Sequence, residues 1–117
     1  MKKWKVICFT IFIIYLVFAQ SCLKMRIKDS EAKNKFGTKG VNLIFKDYFK
    51  GDLKIHYAQT GIENGSTILF IHGSPGAWDA YKNYLMDSAL LKKYRLISID
   101  RTGFGHSNFN KPQTLKT

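Results

Sequence analysis

Acidic residues, cysteines and histidines are scarce in this chain. Eight Asp and Glu stand against 19 Lys and Arg, which leaves a formal net charge of +11. Of the two cysteines, Cys8 lies in an apolar N-terminal stretch that we expect to be removed, so the mature chain would keep only Cys22 and could form no internal disulfide. Three scattered histidines and one mature cysteine have no metal-ligand spacing. The sequence therefore predicts no metal and no cofactor.

The positive charge does not by itself indicate a nucleic-acid partner. Aspartates are interleaved with the basic residues, and the sequence contains no recognition helix and no aromatic-basic stripe. We therefore predict a solvated basic surface and no nucleic acid as a partner. A hydrophobic content of 45% and an aromatic content of 15% exclude wholesale disorder. The length of 117 residues allows one small domain with a packed core.

Residues 1–21 have the layout of a signal peptide. A basic start is followed by an apolar stretch, residues 6–19, which is shorter than the roughly 20 residues of a membrane span. The next residues, Ala19-Gln20-Ser21-Cys22, resemble a bacterial lipoprotein signal. The resemblance implies lipidation at Cys22 and an exported protein, anchored through lipid to a membrane of a bacterial cell envelope. An ordinary cleaved signal and an uncleaved anchor are the alternatives.

Residues 22–40 are rich in lysine and have few large apolar side chains. This composition predicts a lipid-anchored basic tether. It would be either a solvated linker or a segment whose cations rest on anionic lipid headgroups.

Residues 41–117 are predicted to form the domain, and they begin with a hairpin. Two β-rich runs, residues 43–49 and 53–59, are separated by a short connection that contains Gly51. This pattern predicts an antiparallel pair of strands at the edge of a sheet. On the second run His56 falls on the polar side of the alternation, so we expect it to face solvent.

The central feature of the domain is an apolar run that ends in a turn of small residues. Residues 68–71 include no polar side chain, which predicts a strand covered on both faces in a parallel sheet. An amphipathic helix is predicted next, with Asp79 near its positive end. Its apolar positions are Trp78, Tyr81, Leu85 and Ala89. Residues 95–100 form a second strand, so the two strands should lie parallel in a right-handed βαβ unit.

Each of these two strands ends in a short motif. The first motif is His72-Gly73-Ser74-Pro75-Gly76, and the second is Asp100-Arg101-Thr102-Gly103-Phe104-Gly105-His106-Ser107. Preceded by a hairpin, the two motifs resemble the N-terminal portion of an α/β-hydrolase over about residues 41–111. Thr102 stands where the family more commonly has proline. The resemblance implies an α/β fold, with an incomplete α/β-hydrolase sheet made of the hairpin and the βαβ unit.

The resemblance also implies roles for individual residues. The backbone N–H of Ser74 would be an oxyanion-hole donor, because preorganised amides stabilise the negative charge that acyl transfer builds on an oxygen. His72 would be a structural hydrogen-bonding residue rather than a base. The loop around Ser74 would be supported by His72, Gly73, Pro75 and Gly76. The floor of the active site would be braced by Asp100, Arg101, Gly103 and Gly105.

The nucleophile of this family is not found in the sequence. It sits in a Gly-X-Ser-X-Gly pentapeptide, and the nearest match, Gly105-His106-Ser107-Asn108-Phe109, lacks the last glycine and follows the wrong strand. We therefore expect the front part of a longer hydrolase that acts on an ester, amide or peptide, and a 117-residue chain that is inactive by itself. The substrate would be a small molecule or a peptide. The alternative is a non-catalytic anchored binding module or a degraded gene product.

Overall fold

The computed structural model describes residues 2–23 and 26–108, without the side chains of residues 21–23. Two helices come first, α1 (Lys2–Leu23) and α2 (Asp29–Thr38). Three strands follow, β1 (Ile44–Lys50), β2 (Leu53–Gly61) and β3 (Ser66–Ile71). A 3₁₀ turn (Trp78–Tyr81), two short helices, α3 (Lys82–Leu85) and α4 (Ser88–Leu91), and the strand β4 (Tyr94–Ile99) complete the described elements.

Helix α1 contains the apolar segment that was predicted to be a signal peptide. Over Lys2–Gln20 it is long and apolar enough to cross a membrane by length and composition, and a signal sequence near the N-terminus passes the same test. The hydroxyl of Thr10 donates to the carbonyl of Val6 at 2.8 Å. The polar group within the apolar stretch is therefore satisfied by the helix itself. The side chain of Cys22 lies outside the described atoms, so its lipidation stays a prediction.

The four strands form one mixed sheet in the order β1-β2-β4-β3. Strands β1 and β2 form an antiparallel hairpin in which Ile44 lies opposite Gln59. Strand β2 also pairs antiparallel with β4, and β4 pairs parallel with β3, where Ile68 lies opposite Leu96. The predicted hairpin and the predicted parallel pair are both present, and β4 joins them into a single sheet.

The helix predicted after Pro75 is divided into three short pieces. The break before α4 lies at Asp87, whose backbone is extended. The side chain of Asp87 caps the start of α4 by accepting hydrogen bonds from two amides of that helix. The hydroxyl of Thr60 donates to the carbonyl of Leu85 at 2.8 Å and so satisfies the end of α3. Trp78 and Leu85 are still fully buried. Of the other predicted apolar positions, Tyr81 is partly buried and Ala89 is exposed. The predicted apolar face was therefore right for its first part and wrong at Ala89, and the continuous helix was wrong.

The prediction of a tether over residues 22–40 is wrong for the part that forms α2. Ala32 and Phe36 lie one turn apart on this helix and are 0% and 1% exposed. The ring of Phe36 lies 6.3 Å from that of Trp78, centroid to centroid. Just before α2, the amide of Ile27 donates to the buried carboxylate of Asp79 at 2.9 Å. Asp79 therefore anchors the segment before α2. Two apolar residues spaced four apart are enough to dock this short helix, in which two acidic residues balance two lysines.

Strand β3 is covered on one face only within the described residues. Ile68 and Phe70 pack against the core, whereas Leu69 and Ile71 are each 53% exposed. The expectation of cover on both faces is thus not met, because no described element packs on the second face of β3.

Candidate active site

The two predicted motifs lie side by side at one edge of the sheet. Strands β3 and β4 run parallel with Ile71 opposite Ile99, so the loops that follow them leave the sheet together. Hydrogen bonds from backbone amides join these loops. The amide of Arg101 donates to His72 Nε2 at 3.1 Å, and the amide of Trp78 donates to Asp100 Oδ1 at 2.8 Å. The structure therefore brings together residues that are 22 and 29 positions apart at the edge where ligands bind in open α/β sheets.

Ser74 forms the exposed corner of the first loop. Among the described residues its amide has no hydrogen-bond acceptor, and the Ser74–Pro75 peptide bond is cis. A Cβ added to Gly73 would meet nothing within 4 Å, so the space above this residue is open. A Cβ on Gly76 would lie 2.9 Å from both Gly73 O and His72 Nδ1, which leaves room only for glycine. The loop thus presents the unpaired amide of Ser74 beside open space at Gly73, while Gly76 is closely packed against His72.

His72 is 2% exposed, and both of its ring nitrogens are engaged. Because Nε2 accepts from the amide of Arg101, the proton of the neutral ring is on Nδ1, which donates to Gly73 O at 2.6 Å. The guanidinium of Arg101 also donates to the carbonyl of His72 at 3.2 Å. A histidine held in this way fixes the backbone of the Ser74 loop. It has no free nitrogen with which to accept a proton from a substrate.

Asp100 is fully buried and links several segments. Its Oδ2 accepts from the amide of His106 at 2.9 Å and from the guanidinium of Arg26 at 3.4 Å, while Oδ1 accepts from Trp78. These donors compensate for the burial of a charged carboxylate. Sequence analysis missed Arg26, because one basic residue in a lysine-rich segment carries no distinguishing signal.

Two glycines of the second motif adopt backbone conformations with positive φ, +81° at Gly103 and +56° at Gly105. A Cβ on Gly105 would overlap the carboxylate of Asp100. Glycine is therefore required at Gly105 both by backbone conformation and by the close approach of a buried charge. Arg101 packs its guanidinium over the ring of Phe104, 5.1 Å from the centroid.

Ser107 is buried, and its hydroxyl is fully used. It donates to the carbonyl of Asp100 at 2.6 Å and accepts from the amide of His56 at 2.8 Å. None of the hydrogen bonds in the described part of the chain joins a serine hydroxyl to a histidine ring. Within residues 2–23 and 26–108 the candidate site thus offers a free backbone donor and no activated nucleophile.

The expectation that His56 faces solvent is wrong, because the residue is only 7% exposed. The register of the hairpin places Asp47 directly opposite His56, and His56 Nδ1 lies 2.7 Å from Asp47 Oδ1. The ring stacks on Phe45 with a centroid distance of 5.4 Å. The hydrogen bond from His56 holds the pKa of Asp47 below its ordinary value. Alternation along one strand could not reveal this cover, since it comes from other elements.

No protein-family profile matches the chain. Over 56 residues the chain is 38% identical to Epoxide hydrolase 1 of Caenorhabditis elegans, and this match covers 48% of the chain and 13% of that protein. A protein of Acinetobacter baumannii AYE assigned as a lipase has a TM-score of 0.60 at 21% identity, covering 78% of this chain and 29% of that structure. An epoxide hydrolase from an endophytic Streptomyces has a TM-score of 0.50 at 29% identity, covering 62% of this chain and 20% of that structure.

These structural neighbours, which also include haloalkane dehalogenases and a thioesterase domain, are α/β-hydrolase fold proteins. The four-stranded mixed sheet with its helices is accordingly a partial α/β-hydrolase fold, as predicted. The chain spans only 13% of the C. elegans protein and between 20% and 29% of the solved structures that it resembles.

Proposed function

We propose that this chain is the N-terminal part of an α/β-fold hydrolase in which the Ser74 amide stabilises an oxyanion. The observation that carries the proposal is the amide of the exposed residue Ser74, which has no acceptor among the described residues and lies beyond the carboxyl end of β3. An amide in that position can donate to a ligand without first giving up a bond within the protein.

The surroundings of Ser74 support preorganisation. His72 and Arg101 fix the backbone on one side of the corner, and Gly76 packs against His72 on the other. When a nucleophile attacks a carbonyl group, negative charge develops on the carbonyl oxygen. A donor that is already held in place stabilises this charge without reorganisation, and the loss of one such donor typically costs on the order of 10²–10³ in rate.

The remaining parts of the catalyst are proposed for the whole protein. A nucleophile, an acid and a histidine would be supplied by sequence that follows this chain, and the substrate would be an ester, amide or peptide. Helix α1 would act as the export signal, and lipid at Cys22 would anchor the enzyme to the membrane.

A second candidate reaction is the hydrolysis of an epoxide. It is favoured by the 38% identity to Epoxide hydrolase 1 of C. elegans and by the 29% identity to the Streptomyces epoxide hydrolase. Both candidates rest on the same fold. A panel of chromogenic esters and epoxides, given to the whole protein, distinguishes them by the class of substrate that is turned over.

The role of the Ser74 amide can be tested with two substitutions in the whole protein. Ser74→Pro removes the N–H, and we expect kcat to fall on the order of 10²–10³-fold. Ser74→Ala keeps the N–H and should leave kcat within a few-fold of the parent, because only the backbone takes part. If kcat falls equally in both variants, the hydroxyl of Ser74 and not its amide is the group that acts. Full activity of a folded Ser74→Pro variant, judged by an unchanged unfolding midpoint, would refute the proposal.

A further inference from the structure

Asp29, His56 and His106 come together on the side of the second loop that faces α2. They come from the start of α2, from β2 and from the loop after β4, and one potential ligand atom of each lies within 4.8 Å of the other two. Sequence spacing gave no sign of this cluster, because the three residues are separated by 27 and 50 positions.

His56 presents a free lone pair to the cluster. Its Nδ1 is 2.7 Å from the carboxylate of Asp47, which can accept only if Nδ1 carries the proton of the neutral ring. The lone pair is then on Nε2, which is buried and has no hydrogen-bond partner in the described structure. The side chain is 9% exposed. A carboxylate that holds one nitrogen of a histidine while the other points at a cation is the usual outer shell of a histidine metal ligand.

The other two members also present electron-rich atoms. Asp29 Oδ2 lies 3.5 Å from His56 Nε2 and 3.4 Å from His106 Nδ1, and Asp29 Oδ1 is buried without a hydrogen bond. His106 Nδ1 lies 2.9 Å from a guanidinium nitrogen of Arg26, so this atom is an acceptor as well. Acceptors that face one another at these distances repel unless a proton or a metal cation lies between them.

We propose that Asp29, His56 and His106 bind a divalent transition metal ion, for which Zn²⁺ is the natural probe. Ligand atoms at about 2.0–2.1 Å from a tetrahedral zinc ion lie about 3.3–3.4 Å apart. The two separations from Asp29 Oδ2 are close to that value without movement of the backbone. Two imidazoles and a carboxylate are a donor set that suits zinc, and water can take the fourth position.

A cleft of about 320 Å³ gives access to the cluster. It is lined by residues 26–30 together with His106, so two of the three ligands border it. The guanidinium of Arg26 lies in the same place, 3.9 Å from Asp29 Oδ1, and competes with a metal ion for His106. Metal binding would release Arg26 from His106 and leave its contact with the buried Asp100. The site thus has a route for the metal and a built-in competing cation.

The proposed site goes beyond hydrolysis and has a structural role. A metal held by these residues would join α2 to the sheet and to the loop that carries Gly105. The gain in stability would grow with the concentration of free metal, since the unfolded chain does not assemble the three ligands.

The test uses the full chain in detergent micelles with Cys8→Ser and Cys22→Ser, so that thiols do not bind the metal. Isothermal titration with Zn²⁺ should show one site per chain. His106→Ala and Asp29→Asn should weaken binding at least tenfold, and Asp47→Asn on the order of tenfold through the outer shell. Glu63→Gln, which removes a carboxylate that is 77% exposed, is the matched control and should change nothing. Arg26→Gln should tighten binding, because it removes the competing cation.

A second measurement uses the parent chain, so its result does not depend on whether the variants fold. Imidazole nitrogen NMR of the parent chain should show that Zn²⁺ shifts the signals of His56 and His106 and leaves those of the internally bonded His72 unchanged. The proposal is overturned if no stoichiometric binding is found, if binding survives both Asp29→Asn and His106→Ala, or if the signals of His56 do not respond. If the signals of His56 do not respond, the cluster is held together by a protonated His56 that donates to both Asp47 and Asp29, and not by a metal ion.

Discussion

Substitution of Gly105 by alanine tests whether the buried Asp100 carboxylate holds the two candidate-site loops together. Gly105 has a φ of +56°, and an alanine Cβ would overlap the Asp100 carboxylate. The carboxylate would have to leave the amides of Trp78 and His106, which it binds at 2.8 and 2.9 Å. Gly105→Ala therefore combines a backbone penalty with the loss of two charged hydrogen bonds.

The expected magnitude follows from these two contributions. An L-residue in the left-handed region costs about 1–2 kcal/mol, and two hydrogen bonds to a charged group contribute about 3–6 kcal/mol. The free energy of unfolding should thus fall by about 4–8 kcal/mol, which is comparable to the whole stability of a small domain. Gly51→Ala is the matched control, because Gly51 has nearly the same φ, +57°, but nothing within 4 Å of the added Cβ. It should cost only the backbone penalty.

Urea unfolding of the full chain in detergent, followed by tryptophan fluorescence, measures both variants. Trp78 is completely buried and binds Asp100 through its amide, so its emission reports on the same region. In an Asp100→Ala background, Gly105→Ala should lose most of its extra cost, and this double-mutant cycle isolates the contact. If Gly105→Ala and Gly51→Ala destabilise the protein equally, the Asp100 carboxylate does not lie against Gly105, and the account of the active-site floor is wrong.

Three further predictions follow from the packing and the hydrogen bonds. Phe36→Ala should lower the free energy of unfolding by about 3–5 kcal/mol, whereas Phe49→Ala, at a site 64% exposed, should change it by less than about 0.5 kcal/mol; equal effects in urea unfolding would return α2 to the role of a tether. Because His56 lowers the pKa of Asp47 in the folded state, the stability from this bond is complete above the ordinary pKa of 3.8 and is lost as the pH falls below it. Asp47→Asn should therefore flatten the acid limb of stability against pH, and a limb identical to that of the parent would contradict the assignment. Ser107→Ala should cost about 2–6 kcal/mol by leaving two buried backbone groups unpaired, at about 1–3 kcal/mol each, while ester hydrolysis by the 117-residue chain that disappears in this variant would make the serine a nucleophile.

The sheet could be predicted from the sequence because its signals are local. Gly51 marks the hairpin, and the unbroken apolar run at residues 68–71 marks β3. The motifs at Ser74 and Asp100 stand directly after their strands, so their meeting at one sheet edge followed from parallel pairing alone. For these parts, each local preference agrees with the final fold.

The remaining features depend on residues that are far apart in the chain. The burial of His56 requires Asp47 from the neighbouring strand and cover from α2, and no periodicity within β2 contains that information. Phe36 is one aromatic residue among lysines, so composition favoured a linker, although Phe36 and Ala32 together are enough to dock the helix. The capping carboxylate of Asp87 divides a segment whose apolar spacing alone predicts one helix. In the first two cases a contact with another element overrides the local pattern, and in the third a capping side chain within the segment does.

Strand β3 has a practical consequence for work with this length of chain. Its outer edge presents backbone donors and acceptors with no described neighbour, and the exposed side chains of Leu69 and Ile71 lie beside them. An unpaired sheet edge of this kind can pair with any extended peptide, including the same strand of another copy. Preparations should therefore self-associate as their concentration rises, and light scattering would reveal it before activity is ever measured. A short peptide with alternating valine and lysine, added in trans, should pair with the open edge of β3 and so prevent self-association.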